Sequence, residues 1–111
     1  SPYGELEKFT VETKAIGPLM DWADLIKLDV EGQEKKIILT TNHKQWLTTD
    51  ALVEIESKEN ARAIYDYFIN FNVNLFSQKK NWKKVTKIDD MPFNYHEGIL
   101  FVSCKEVMPW G

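Results

Sequence analysis

Residues 24 to 34 read DLIKLDVEGQE, an apolar strand that runs straight into an acid-rich turn. Leu25, Ile26, Leu28 and Val30 are threaded by Lys27 and Asp29, and Gly32 then breaks the chain with carboxylates on both sides. A strand needs no such acids for its stability. Asp29, Glu31 and Glu34 place three carboxylates within six residues, and like charges this close repel unless water, hydrogen-bond donors or a cation hold them. The turn is therefore a candidate site.

On the N-terminal side, KFTVET (8 to 13) alternates in the manner of a short strand, and Gly17-Pro18 behind it allows only a turn or one helical turn. On the C-terminal side, residues 33 to 49 mix strand formers (Ile37, Ile38, Leu39, Thr40, Thr41) with Glu, Lys and Gln that favour a helix. They are read as helix, because a strand there makes a tight hairpin inconsistent with the elements C-terminal to it. DALVEIES (50 to 57) is a second strand, with Leu52, Val53 and Ile55 buried and Glu54 and Glu56 along it. In residues 58 to 71, Ala61, Ile64, Tyr65, Phe68 and Phe71 recur at spacings of three and four, one face of a helix for which Ser57 is the N-cap. NVNLFSQ (72 to 78) reads as a strand, 79 to 97 as a long polar connection, and GILFVSCK (98 to 105) as a final buried strand.

Strands alternating with helices imply right-handed crossovers and a largely parallel sheet with helices packed on it, hence an α/β fold. The last two strands have no helix between them and are expected to be antiparallel neighbours. Ligands of such sheets gather beyond the carboxyl ends of the parallel strands. Asp29, Glu31 and Glu34 lie there, and so does Glu56 as it leaves the second strand, so two acidic strand ends are expected to face one cleft.

Composition bounds the rest. A chain of 111 residues, 43% hydrophobic and 13% aromatic, suits one domain with a modest core. Its net charge of −3 gives no excess of Lys and Arg for nucleic acid. The single cysteine, Cys104, forms no intrachain disulfide, is read as a small strand residue, and makes a reducing cytoplasm the default location. No apolar run has the length of a membrane span and no N-terminal signal pattern is present, so no membrane association is expected.

ADLIKLDVEGQE resembles the strand and turn of the FkbM family of S-adenosylmethionine-dependent methyltransferases. The family's pattern there is apolar-Lys-apolar-Asp-apolar-Glu-Gly-x-Glu, matched by Lys27, Asp29, Glu31, Gly32 and Glu34. FTVETKAIGPLM is similar to the extended segment leading into that strand, and ALVEIES to the next strand, with Glu54 at an acidic position. The helix at 58 to 71, VNLF and ILFVS keep the family's order. The resemblance implies the second half of a Rossmann-like methyltransferase sheet, from the fourth strand onwards, mostly parallel with a final antiparallel strand. The family's cofactor half opens with a strand and a glycine-rich turn. The five glycines here, at 4, 17, 32, 98 and 111, are too far apart to form one. The implied unit is thus a single partial α/β domain, residues 1 to 111, lacking the N-terminal cofactor-binding half and inactive alone. S-adenosylmethionine is the cofactor of the complete parent, and the acceptor is a hydroxyl of a sugar or secondary metabolite. A fourth strand sits mid-sheet in that fold, so its bare edge implies self-association, with cover by KFTVET or by another chain as alternatives.

Methyl transfer to a hydroxyl needs the donor held in line with an oxygen whose proton is taken by a base or whose pKa is lowered by a metal. Asp29 and Glu31 are the catalytic candidates. Lys27, Glu34, Glu56 and His96 are substrate-binding candidates, although Glu34 equally suits the first turn of a helix. Alternation alone reads Glu54 and Glu56 as solvent-facing. His43 is read as a surface residue. Carboxylates suit magnesium or calcium, but no His accompanies the cluster and no metal is assigned. KKNWKKVTK (79 to 87) sets five lysines around Trp82, a pattern able to bind phosphates and stack on bases, yet Asp89 and Asp90 dilute it and a solvated loop is expected. Two further functions fit the pattern: a non-catalytic binding or assembly module, and a hydrolase with a metal on the acidic turn.

Overall fold

In the computed structural model, the described residues are 20, 21, 23 to 29 and 32 to 109. KFTVET, Glu31 and Trp110 lie outside them. LIKL forms β1 (Leu25–Leu28) and DALVE forms β2 (Asp50–Glu54), paired in parallel with Leu25 opposite Asp50 and Leu28 opposite Val53. The crossover between them is helical, as expected, but in two pieces, α1 (Glu34–Ile38) and α2 (His43–Trp46). The break has a local cause. Thr40 and Thr41 each donate their hydroxyl to the carbonyl three residues back, Ile37 and Ile38, at 2.6 Å, a side-chain bond that competes with continued helix. Asn42 then restarts the helix through a reciprocal capping box with Gln45.

α3 (Lys58–Phe68) follows β2, and Ser57 caps it by accepting from the Asn60 N–H at 3.1 Å. β3 (Asn74–Ser77), β4 (Lys83–Lys84) and β5 (Ile99–Ser103) complete a five-stranded sheet of order β1-β2-β5-β3-β4. β3 and β5 are antiparallel neighbours, as the helix-free connection between them required. The expectation of a mostly parallel sheet is corrected: β1 with β2 is parallel, while β2 with β5, β5 with β3 and β3 with β4 are antiparallel. The physical reason is insertion. β5 returns between β2 and β3, so the strands that α3 joins are not hydrogen-bonded to each other. Residues 79 to 97 also hold more structure than a polar connection, since Lys83 and Lys84 pair with Ser77 and Phe76.

Alternation along the strands divides the apolar residues between two faces. Ile26, Leu28, Ala51, Val53, Leu75, Leu100 and Val102 join Ile37, Ile38, Trp46, Ala61, Ile64 and Phe68 of the helices in the main core. Trp46 anchors that layer, fully buried, with its indole N–H on Thr41 Oγ1 at 2.8 Å and its ring edge-on to Phe68. The opposite face carries a smaller cluster of Leu25, Phe76, Phe101 and Met108, with Leu52 and Trp82 against it and no residue of a described helix. Within the described sheet β1 is an edge strand. No described helix is long and apolar enough to cross a membrane.

Candidate functional site

Because Leu28 lies beside Val53 in the parallel register, the next residues, Asp29 and Glu54, emerge together at the carboxyl ends of β1 and β2. The two side chains hydrogen-bond. Burial, that bond and the Asp29 charge all push the Glu54 carboxyl above its ordinary pKa, the Glu34 charge adds to the effect, and Lys27 opposes it. The neighbouring negative charge thus disfavours the ionised form of Glu54. Glu54 is accordingly half-buried and engaged, not the solvent-facing residue that alternation suggested.

Glu34 is fully buried in the first turn of α1. Its Oε1 accepts from the Glu56 backbone N–H at 2.8 Å and from Asn60 Nδ2 at 3.0 Å, and the same amide donates to the Gly32 carbonyl at 3.1 Å. One carboxylate oxygen thereby ties the turn to the start of α3. The other, Oε2, is buried with no hydrogen-bond partner. Gly32 has φ +88°, and a Cβ built on it lies 1.7 Å from Glu56 Oε2. Only glycine allows this turn and the close approach of Glu56 together.

Tyr95 completes the site from a 3₁₀ turn, Tyr95–Glu97. The residue is 45% exposed, and its partial burial, followed by the charges of Glu34, Glu56, Glu54 and Asp29, raises the phenol pKa. The structure thus brings Asp29, Glu34 and Glu56 into one acidic field with Lys27 beside Glu54. Glu31 lies outside the described residues. His96 is exposed, and its backbone N–H donates to Asn94 Oδ1 at 2.9 Å. The turn residue in the field of the four carboxylates is its neighbour, Tyr95. Sequence reading missed two participants for different reasons. Glu54 meets Asp29 only through the register of β1 with β2, which alternation does not give, whereas Tyr95 sits in an irregular connection with no periodic signal.

The remaining candidates resolve locally. Lys79 pairs with Glu97 at 3.3 Å and lies over the Phe93 ring, and Lys84 pairs with Glu106 at 2.6 Å, so these two lysines are engaged singly. Asn81 and Trp82 both adopt positive φ, 57° and 63°, and the Trp82 N–H bonds the Ser77 carbonyl at 2.8 Å. That turn sets the indole beside a groove of about 840 Å³ on the second sheet face, with Leu52, Phe76, Ile99 and Met108. The Cys104 thiol, half-buried just past β5, is pushed up by burial and by Asp50 against Lys105, and stays protonated. His43 is exposed and stacks on Phe71. Among the described residues, no group of three or more His, Cys, Asp or Glu is placed to hold a metal ion.

Chemically, a carboxyl whose pKa is raised by a neighbouring carboxylate at a strand end is suited to exchange protons with a ligand, and a nearby phenol can orient a hydroxyl. Comparison with protein-family models, with curated proteins and with solved structures finds no match to this chain.

Proposed function

We propose that this chain is the acid-bearing part of an S-adenosylmethionine-dependent O-methyltransferase, the second half of a Rossmann-like sheet. The observation that carries the reading is the meeting of Asp29 and Glu54 at the carboxyl ends of the parallel pair β1 and β2, where α/β sheets gather their ligands. The antiparallel final strand agrees with the resemblance.

The residues present suit a positively charged donor, because the acidic groups Glu34, Glu56, Glu54 and Asp29 all act on Tyr95 while Lys27 is the cation acting on Glu54. S-adenosylmethionine, when bound, supplies an electrophilic methyl group. Were it bound, its methyl–sulfonium bond would break as the acceptor oxygen took the methyl group, the sulfur leaving as the neutral thioether, and Asp29 would take the proton of the acceptor hydroxyl. Glu54, whose carboxyl is biased towards its protonated form by burial and by Asp29, holds Asp29 in orientation. Tyr95 donates to the acceptor oxygen or its neighbour. No glycine-rich cofactor turn occurs in residues 1 to 111, so this chain is expected to bind the cofactor weakly and to be inactive alone.

The test is chemical-shift mapping of the labelled chain with S-adenosylhomocysteine. The reading predicts perturbations at Asp29, Gly32, Glu54 and Tyr95. A folded chain that shows none, or shows them only around Phe76 and Trp82, contradicts it. A second reading, a non-catalytic assembly module, is favoured by the apolar second face and the β1 edge. It predicts concentration-dependent self-association in sedimentation without any response at the acidic cluster.

A further inference from the structure

The groove on the second sheet face has no part in the methyl-transfer reading. Leu52 and Phe76 both stand opposite Phe101, and Ile99 lies two residues before Phe101 on the same strand. Directly opposed residues share a face, as do alternate residues of a strand. Leu52, Phe76 and Ile99 therefore form one floor, with Trp82 and Met108 beside it. The space between them is about 840 Å³, inside the range of about 300–1,000 Å³ that small organic ligands occupy. Leu52, Trp82 and Ile99 are half-buried and Val107 is 72% exposed, so apolar surface lines a concavity open to solvent.

Trp82 holds its wall at a conformational cost. A φ of 63° is a genuine outlier for a bulky side chain, and glycine makes such a turn without strain. Strain of this kind clusters where a side chain is held ready for a ligand. The charges then choose the ligand. At the β4 end, Lys83 and Lys84 stand with the single carboxylate of Glu106, which pairs with Lys84 at 2.6 Å. Lys83 has no ion pair among the described residues. Two ammonium groups against one carboxylate leave a positive rim that suits a single anionic group. The opposite end is acidic, since Glu54 stands opposite Ile99, so the anion has one place to go. A second copy of the chain fits this face poorly. Two-fold symmetry sets the same patch against itself, and groove against groove leaves both unfilled where interfaces are close-packed.

We propose that this groove binds a small amphipathic monocarboxylate, its hydrocarbon body on Leu52, Trp82 and Ile99 and its carboxylate on Lys83 and Lys84. The site is separate from the acidic turn, and the proposal stands independently of the methyl-transfer reading.

The test is calorimetric titration of the full chain with octanoate, with octan-1-ol as the neutral counterpart, butanoate as the shortened one and octylammonium as the cation, alongside chemical-shift mapping with octanoate. Octanoate is expected to bind about threefold or more tightly than the alcohol, the scale of an ion pair at an exposed rim. It should exceed butanoate by about tenfold or more through its longer chain, and shift the resonances of Leu52, Trp82 and Ile99. Lys83→Gln combined with Lys84→Gln is expected to bring octanoate down to the alcohol, while Lys44→Gln on α2 leaves the preference intact. Trp82→Gly removes the indole together with the strain and is expected to weaken both ligands alike. Should Trp82→Gly fail to fold, the lysine pair decides. Octylammonium binding as tightly as octanoate, shifts confined to other surfaces, or a preference that survives both lysine substitutions overturns the proposal. Self-association in sedimentation that leaves octanoate unable to bind overturns it in favour of a second copy as the occupant.

Discussion

Replacing Gly32 with alanine tests the geometry of the acidic turn, and the structure separates its cost into two parts. At φ +88° the backbone is in the left-handed region, where a residue with a Cβ loses about 1–2 kcal/mol. The new Cβ also falls 1.7 Å from Glu56 Oε2. That oxygen ends an exposed, flexible side chain, so it can swing away for about 0.5–1 kcal/mol of rotamer energy. Gly32→Ala is therefore expected to destabilise by about 1.5–3 kcal/mol in total, taking both parts together. In a Glu56→Ala background the steric part disappears and about 1–2 kcal/mol remains. Urea unfolding of the four chains gives both numbers, provided the dependence on denaturant is unchanged. A loss below about 0.5 kcal/mol shows the turn free of backbone strain. An undiminished loss in the Glu56→Ala background shows that Glu56 does not lie over Gly32.

Four further outcomes are expected from other contacts in the fold. Glu54 has a folded pKa above its unfolded one, so its contribution is complete below the ordinary carboxylate range, about pH 4, and is lost as pH rises through the raised value. Melting temperatures across pH 4 to 8, about the span that matters, should decline less in Glu54→Gln than in the parent. Asp90 has the opposite sign: bonds from the Thr86 N–H and hydroxyl hold its carboxyl below the usual range, so its contribution is present above that range and lost as pH falls through the lowered value. Asp90→Asn should flatten the acid limb of the same curve. Ser57→Ala removes the cap of α3 and is expected to cost about 1 kcal/mol in urea unfolding, while Trp46→Ala, which empties the main core beside Phe68, should cost about 3–5 kcal/mol.

The parts of this molecule that were legible in its sequence are those whose information is local. LIKL and DALVE alternate against a buried face, Ala61, Ile64 and Phe68 mark one side of α3, and Ser57 sits where a cap must. The position of Asp29 and Glu34 beyond a strand end is fixed by the strand alone. The illegible parts depend on contacts between distant segments. The antiparallel pairing of β5 with β3 was legible from their helix-free connection, but its insertion between β2 and β3 was not, so a reading from element order overstated the parallel character. Glu54 looked solvent-facing because alternation assigns a face but not a neighbour, and only the register with β1 brings Asp29 to it. Tyr95 reaches the cluster from a turn whose course no pattern announces.

The central claim, that the acidic ends of β1 and β2 form the chemical centre of a methyl-transfer site, is tested most directly by calorimetric titration of S-adenosylmethionine into the full chain and into Glu54→Gln. The account predicts weak, saturable binding to the parent and a clear loss in the variant, with both chains folded. Absence of heat from a folded parent, or identical isotherms for the two chains, contradicts it.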